Sequence, residues 1–242
     1  MGEPLNLVIQ DLYKNLDAVA ELRAMQLKAT CAKGCSHCCY LLATASFVEA
    51  LYIADELLQR PDWRDWLPKL NEAAKKFCYP GVNKRNYFNQ GIPCVFLKDS
   101  TCVIYDKRPE ACRYHYVASP PGNCSHRMPE NTGTAIINMM PLSEKVWELN
   151  ALVIRQLTED FGDSMPAMLV GPIPIVILWA MTFLIGGGED KEFVRSFVEG
   201  IPMPLEWVTK YADPKEMDPS ESMRSAREMS EEEVLAMHKE TK

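Results

Sequence analysis

Apolar positions at the start of the chain recur three and four apart: Leu5, Val8, Leu12, Leu16, Val19 and Leu22 or Met25. That spacing lines one stripe of an α-helix, so residues 5–27 are expected to form a long amphipathic helix with this stripe turned to a core. Ser46-Phe47-Val48-Glu49 follows as a capping box, in which the serine side chain and the glutamate carboxylate each satisfy an orphan amide of the other. It predicts a helix over 47–58, closed near Pro61, with a second over 63–77, and gives Glu49 a structural role. Residues 79–93, rich in Asn, Gly and Pro, read as a surface loop.

Two β-prone runs, 94–97 and 102–105, flank Lys98-Asp99-Ser100-Thr101 and predict a hairpin with a cysteine heading each strand. Asp106 is placed to cap the next turn, and Pro109 falls in the first turn of a short helix over 108–113, where its missing N–H costs nothing. Residues 118–133 read as loop. A helix is expected from Ser143, with Leu142, Val146, Leu149, Val153 and Leu157 on one face.

Residues 165–188 carry no charge. Gly171, Pro172 and Pro174 interrupt them, leaving 175–185 as continuous apolar helix, about half of a membrane span, so a buried core helix is expected rather than a crossing one. Gly186-Gly187-Gly188 ends it, and 192–199 adds a short amphipathic helix. From residue 212 the chain turns polar, with at most a marginal helix started by Ser230. The pattern as a whole predicts a mainly α fold with a small β-hairpin: a single domain over 1–211 whose helical scaffold surrounds a loop-rich cysteine site, and a polar, flexible tail over 212–242.

Composition alters this picture little: 47% apolar and 24% charged residues are ordinary for a globular chain, and a net charge of −7 offers no footprint for nucleic acid or an anionic membrane. Glu3 stands where an export signal is basic, and Asn6 where a myristoylation motif has Ser or Thr, so a cytoplasmic location is expected. In that reducing compartment the nine cysteines are not a disulfide framework. All of them lie between Cys31 and Cys124, a clustering that points to metal ligation.

The first group is Cys31-Ala-Lys-Gly-Cys35-Ser-His-Cys38-Cys39, and the second is Cys94, Cys102, Cys112 and Cys124. Thiolate is a soft donor that suits zinc or an iron–sulfur cluster, and four sulfurs complete one such site. Gly34 suits the tight turn that the first group needs. Each group could close a site of its own. Neighbouring side chains diverge, however, so Cys38 and Cys39 are hard to bring to one ion, and we favour a mixed set that staples the first group to the hairpin. Lys33, Arg108 and Arg113 are placed to offset thiolate charge. His37, His115 and His126 read more simply as solvated loop histidines, and Cys78 as a small buried hydrophobe at a helix end.

The ordered segments Cys31 to Cys39, Pro93-Cys94-Val95-Phe96-Leu97, and Cys102-Val-Ile-Tyr-Asp-Lys-Arg108-Pro109-Glu-Ala-Cys112-Arg113 resemble the YkgJ-type cysteine cluster family, whose members are described as zinc- or iron-chelating domains. The resemblance spans about residues 31–115. The family's cysteines fall on Cys35, Cys38, Cys39, Cys94, Cys102 and Cys112, while Cys31 stands one residue further from Cys35 than in many members. The resemblance implies a metal-binding protein that takes a zinc ion or an iron–sulfur cluster. The same region is similar to flagellin lysine methylases, which implies the alternative of an iron–sulfur enzyme using S-adenosylmethionine. Cys31, Cys35 and Cys38 match the radical-enzyme spacing, but no glycine-rich nucleotide loop and no alternation of strands and helices accompanies them. A third reading is an interaction protein whose metal crosslinks loops.

Overall fold

In the computed structural model, residues 3–32, 34–76, 84–127, 134–161 and 170–185 are described. The expectations for Lys33, Cys78, the glycine stop at 186–188, the helix over 192–199 and the tail over 212–242 lie outside them.

Apolar residues without a polar face can only be covered on every side, and α7 (Ile173–Ile185) is buried without a break from Ile173 to Phe183. Its 13 residues are much shorter than the roughly 20 needed to span a bilayer, and no helix among the described residues is long and apolar enough to cross one. Against it pack α2 (Phe47–Leu58) and α3 (Trp63–Lys75), forming the larger of two cores. α2 begins as its sequence dictates: Ser46 Oγ accepts the Glu49 N–H at 3.3 Å, and Glu49 Oε2 accepts the Ser46 N–H at 2.8 Å.

The second core lies between α1 (Glu3–Gln26) and α6 (Met140–Phe161). α1 forms where expected and turns part of the expected stripe inward, with Leu16 buried and Leu5 and Leu12 half-buried against this core. Ile9, Tyr13, Leu16, Ala20, Ala24 and Leu27 are buried, whereas Val8, Val19, Leu22 and Met25 are 50%, 51%, 58% and 68% exposed. The large aliphatics were a poor guide because the buried stripe is completed by two alanines, which let neighbouring elements approach, and by a tyrosine whose hydroxyl has a buried partner. α6 starts three residues early, at Met140, whose N–H is accepted by Asn138 Oδ1 at 2.8 Å; Ser143 is inside the helix and donates to Glu110 at 2.6 Å. Leu142 and Val146 are buried and Leu149 and Val153 half-buried, as expected. The Leu157 side chain lies outside the described ones.

Among the described residues the expected hairpin is joined by two further short antiparallel pairs. β1 (Thr44–Ser46) pairs with β6 (Val170–Pro172), β2 (Leu97–Lys98) with β3 (Thr101–Cys102), and β4 (Tyr116–Val117) with β5 (Ile136–Ile137). The hairpin β2–β3 is tighter than expected: Lys98 pairs with Thr101, and Asp99 and Ser100 make a two-residue turn at φ 49° and 60°, the left-handed conformations that match strand twist. The first and third pairs join residues far apart in sequence, which leave no local signal. Residues 79–93 are not all loop either, since α4 (Lys84–Asn89) forms there and buries Tyr87 against the larger core. Pro109 precedes α5 (Glu110–Arg113) as its N-cap, its carbonyl accepting the N–H groups of Cys112 and Arg113 at 2.9 Å. Asp106 lies in a 3-10 turn, Tyr105–Lys107, and contributes its carbonyl, which accepts from Arg113 at 2.6 Å, rather than a side-chain cap.

Candidate metal centre

Cys31 and Cys35 bracket a turn in which Cys35 N–H donates to Ala32 at 3.0 Å and Gly34 takes φ +91°, a left-handed conformation that glycine enters without steric cost. A 3-10 turn, His37–Tyr40, then carries the vicinal pair Cys38-Cys39. The Cys39 carbonyl accepts the Cys94 N–H at 2.7 Å, which ties this turn to the hairpin segment. On its other side the turn packs on the 3-10 turn Pro121–Cys124, where the Tyr40 ring lies 4.3 Å from that of His126. His126 is a packing residue: Phe88 meets it edge-on at 6.4 Å, and a Cβ on Gly91 would come within 2.8 Å of its ring.

All eight cysteines of the two groups are half-buried. Cys94, Cys102 and Cys112 lean on the α2–α7 core and interact electrostatically with one another. Cys124 is within charge range of Cys31, Cys38 and Cys35. Cys38 is within charge range of cysteines of both groups.

Backbone amides point at several of the sulfurs. Cys31 Sγ accepts the Val117 N–H at 3.3 Å, and Cys94 and Cys102 accept from Phe96 and Ile104, two residues further on in each case. Such donors offset the charge that a metal-bound thiolate keeps. Burial works the other way: it pushes Cys94 up to about 11 and Cys124 up to about 12, and raises Cys31, Cys102 and above all Cys112. Cys38 is raised first by its hydrogen bond with Cys39 and then by burial. Without a cation these thiols stay neutral at pH 7; with one they are ready ligands.

Of the described residues, Arg108 is a cation set among these thiols. It favours the ionised forms of Cys31, Cys38, Cys102 and Cys112, stacks on the Tyr105 ring at 3.9 Å, and keeps a buried Nε without a hydrogen-bond partner. Arg113 does not share this work, contrary to expectation. It is buried against α1, paired with Asp17, 4.2 Å above the Tyr13 ring, and donating to the Asp106 and Arg108 carbonyls. His115 is held below its ordinary value by burial, and its carbonyl lies 3.9 Å from Cys31 Sγ. His37 begins its 3-10 turn.

As the side chains stand, no three Cys, His, Asp or Glu residues among the described ones surround a point closely enough to hold an ion. The donor set nevertheless fits zinc or an iron–sulfur cluster, since it is thiol-rich, supplied with N–H donors and partnered by one guanidinium.

Beneath the site lies a carboxylate network that the sequence showed only as a helix cap. Glu49, 1% exposed, accepts from Ser46 on one oxygen and, on the other, from the Tyr13 hydroxyl at 2.5 Å and the Glu110 N–H at 2.6 Å. Glu110 in turn accepts from Ser143 and Trp147. Burial, then the neighbouring Glu49, pushes Glu110 from the ordinary 4.5 up to about 7. The folded state therefore holds a proton that the unfolded chain has released, so stability should fall as pH rises from about 4.5 to about 7 and level off above. The displacement corresponds to about 3 kcal/mol at most. Glu110→Gln should remove that fall and be the more stable chain at pH 8; urea unfolding at pH 5 and pH 8 would read it, and an unchanged pH slope would refute it.

An open groove of about 510 Å³ runs beside Cys94, lined by Leu41, Ala43, Tyr87, Ile92 and Ile173, with Lys69 and Lys76 also on its wall.

Residues 30–132 match the sequence model of one known family, CxxCxxCC, described as "putative zinc- or iron-chelating domain". No curated protein and no solved structure matches the chain.

Proposed function

We propose, from the match of residues 30–132 to the CxxCxxCC family model, that the chain is a cytoplasmic metal-binding protein holding a zinc ion or an iron–sulfur cluster on Cys31, Cys35, Cys38, Cys39, Cys94, Cys102, Cys112 and Cys124. The observation that carries this reading is the convergence of both cysteine groups on the His37–Tyr40 turn, with backbone amides aimed at sulfur and Arg108 among the thiols. A metal supplies the positive charge that ionises these buried thiols and the bonds that fix their loops. Purification without oxygen followed by metal analysis tests it. Bound zinc without colour identifies a zinc protein, and bound iron with absorbance near ~400 nm identifies a cluster. A folded chain with neither metal above background would end the proposal.

The groove beside Cys94 supports a second reading, in which the centre acts on a bound molecule. In its sharpest form this is an iron–sulfur enzyme that uses S-adenosylmethionine. Reductive cleavage of S-adenosylmethionine by the anaerobically reconstituted protein is the direct test, and a normal cluster without cleavage would count against it.

A further inference from the structure

We propose that the groove beside Cys94 binds a single aliphatic carboxylate, with the hydrocarbon chain along its apolar lining and the carboxylate at the lysines of α3. The inference goes beyond the metal-binding reading, since it rests on a different set of side chains and needs no metal.

The groove follows from the two faces of α3. Trp66, Leu70 and Ala74, spaced four apart, are buried in the larger core. Lys69, Glu72, Ala73 and Lys76 share the next face, at three- and four-residue spacing, and line the groove. The apolar part of the lining comes from other segments: Leu41 beside the His37–Tyr40 turn, Ile92, Val95 and Leu97 around Cys94, and Ile173 at the start of α7. Leu41, Ile92, Val95 and Leu97 are only half-buried, so apolar surface faces solvent in a concave space of about 510 Å³. A space of that size suits one small molecule that buries a chain, and it offers nothing to a flat surface.

Charge selects the end group of that molecule. The acid in the lining, Glu72, is matched by the Lys75 ammonium, 2.6 Å away. Lys69 and Lys76 then leave the α3 wall positive. They stand roughly two helical turns apart, and their long flexible stems can both lean toward one anion. The Lys69 ammonium lies 4.8 Å from the centre of the Trp66 ring, a cation–π contact that keeps its charge close to the wall. An apolar lining with a positive rim is complementary to an apolar chain with an anionic end. The chain supplies affinity, while the exposed lysines supply selection between head groups.

Titration calorimetry of the full chain as purified, with octanoate, decanoate and dodecanoate below their micellar range, tests this. Binding should saturate, with affinity rising roughly two- to fourfold per added methylene. Dodecyltrimethylammonium, which has the same tail and the opposite charge, should bind about tenfold more weakly than dodecanoate. Combining Lys69→Glu with Lys76→Glu should remove or reverse that preference, and Ala73→Trp, which fills the groove, should abolish binding. Helical circular dichroism would report whether each variant folds. Absence of saturable binding, equal affinity for the two head groups, or an unchanged preference in a folded double variant would overturn the proposal. The comparison of head groups on the unaltered chain decides the matter even if a variant fails to fold. Metal analysis of the same sample reads the metal-binding proposal separately, so either one can fail alone.

Discussion

Glu49→Ala should destabilise the protein by about 3–5 kcal/mol, because it strands several buried donors in one step, each costing roughly 1–3 kcal/mol. The side chain holds the start of α2 through Ser46, the middle of α1 through Tyr13 and the start of α5 through the Glu110 N–H. No water-exposed route compensates for the loss, since Glu49 is 1% exposed and Tyr13 is 3% exposed. Glu49→Gln keeps the shape and one accepting oxygen, so it should lose about half as much, and Tyr13→Phe, which removes a single donor, only about 1 kcal/mol. Equilibrium urea unfolding would measure all three. A Glu49→Ala chain within 1 kcal/mol of the parent would show that the network does not tie the three helices together.

Metal removal should have the next largest effect, and a local one. Apart from Cys112 in α5, the cysteines sit on turns, irregular segments and the two-residue strand β3, whose backbone hydrogen bonds are few, while α2 and α7 are packed along most of their length. Segments of this kind open independently of a core. Hydrogen exchange after chelation should show protection lost roughly a hundredfold over residues 31–41, 94–105 and 116–125, equivalent to about 3 kcal/mol, with α2 and α7 unchanged. Cooperative melting of α2 and α7 along with the turns would mean that the metal holds the whole fold, as in a structural crosslink.

Parts of this structure are legible in the residues because their causes are local. The capping box needs only Ser46 and Glu49, three positions apart, and the helix it starts occupies the expected residues. α7 could be placed because a stretch this apolar and this short suits a core, although it begins at Ile173, with Pro174 in its first turn rather than ahead of it. The same logic holds for only part of α1, where periodicity among large aliphatics turns Leu5, Leu12 and Leu16 to the core but also selects Val8, Val19, Leu22 and Met25, which are exposed. Which stripe is buried depends on Tyr13 meeting Glu49, a partner 36 positions away. Arg113 is set by an equally distant partner, since its pairing with Asp17 joins residues 96 positions apart.

Thiol chemistry, the cap of α2 and the short hairpin were determined by the sequence alone, since each depends on residue type and near neighbours. Which cysteine segments meet was decided by tertiary structure. The Cys124 turn packs on the His37–Tyr40 turn, with Tyr40 on His126, and Cys94 meets the vicinal pair through a backbone hydrogen bond to Cys39. Contacts between such distant positions arise only once the two cores have formed, and no spacing along the chain encodes them.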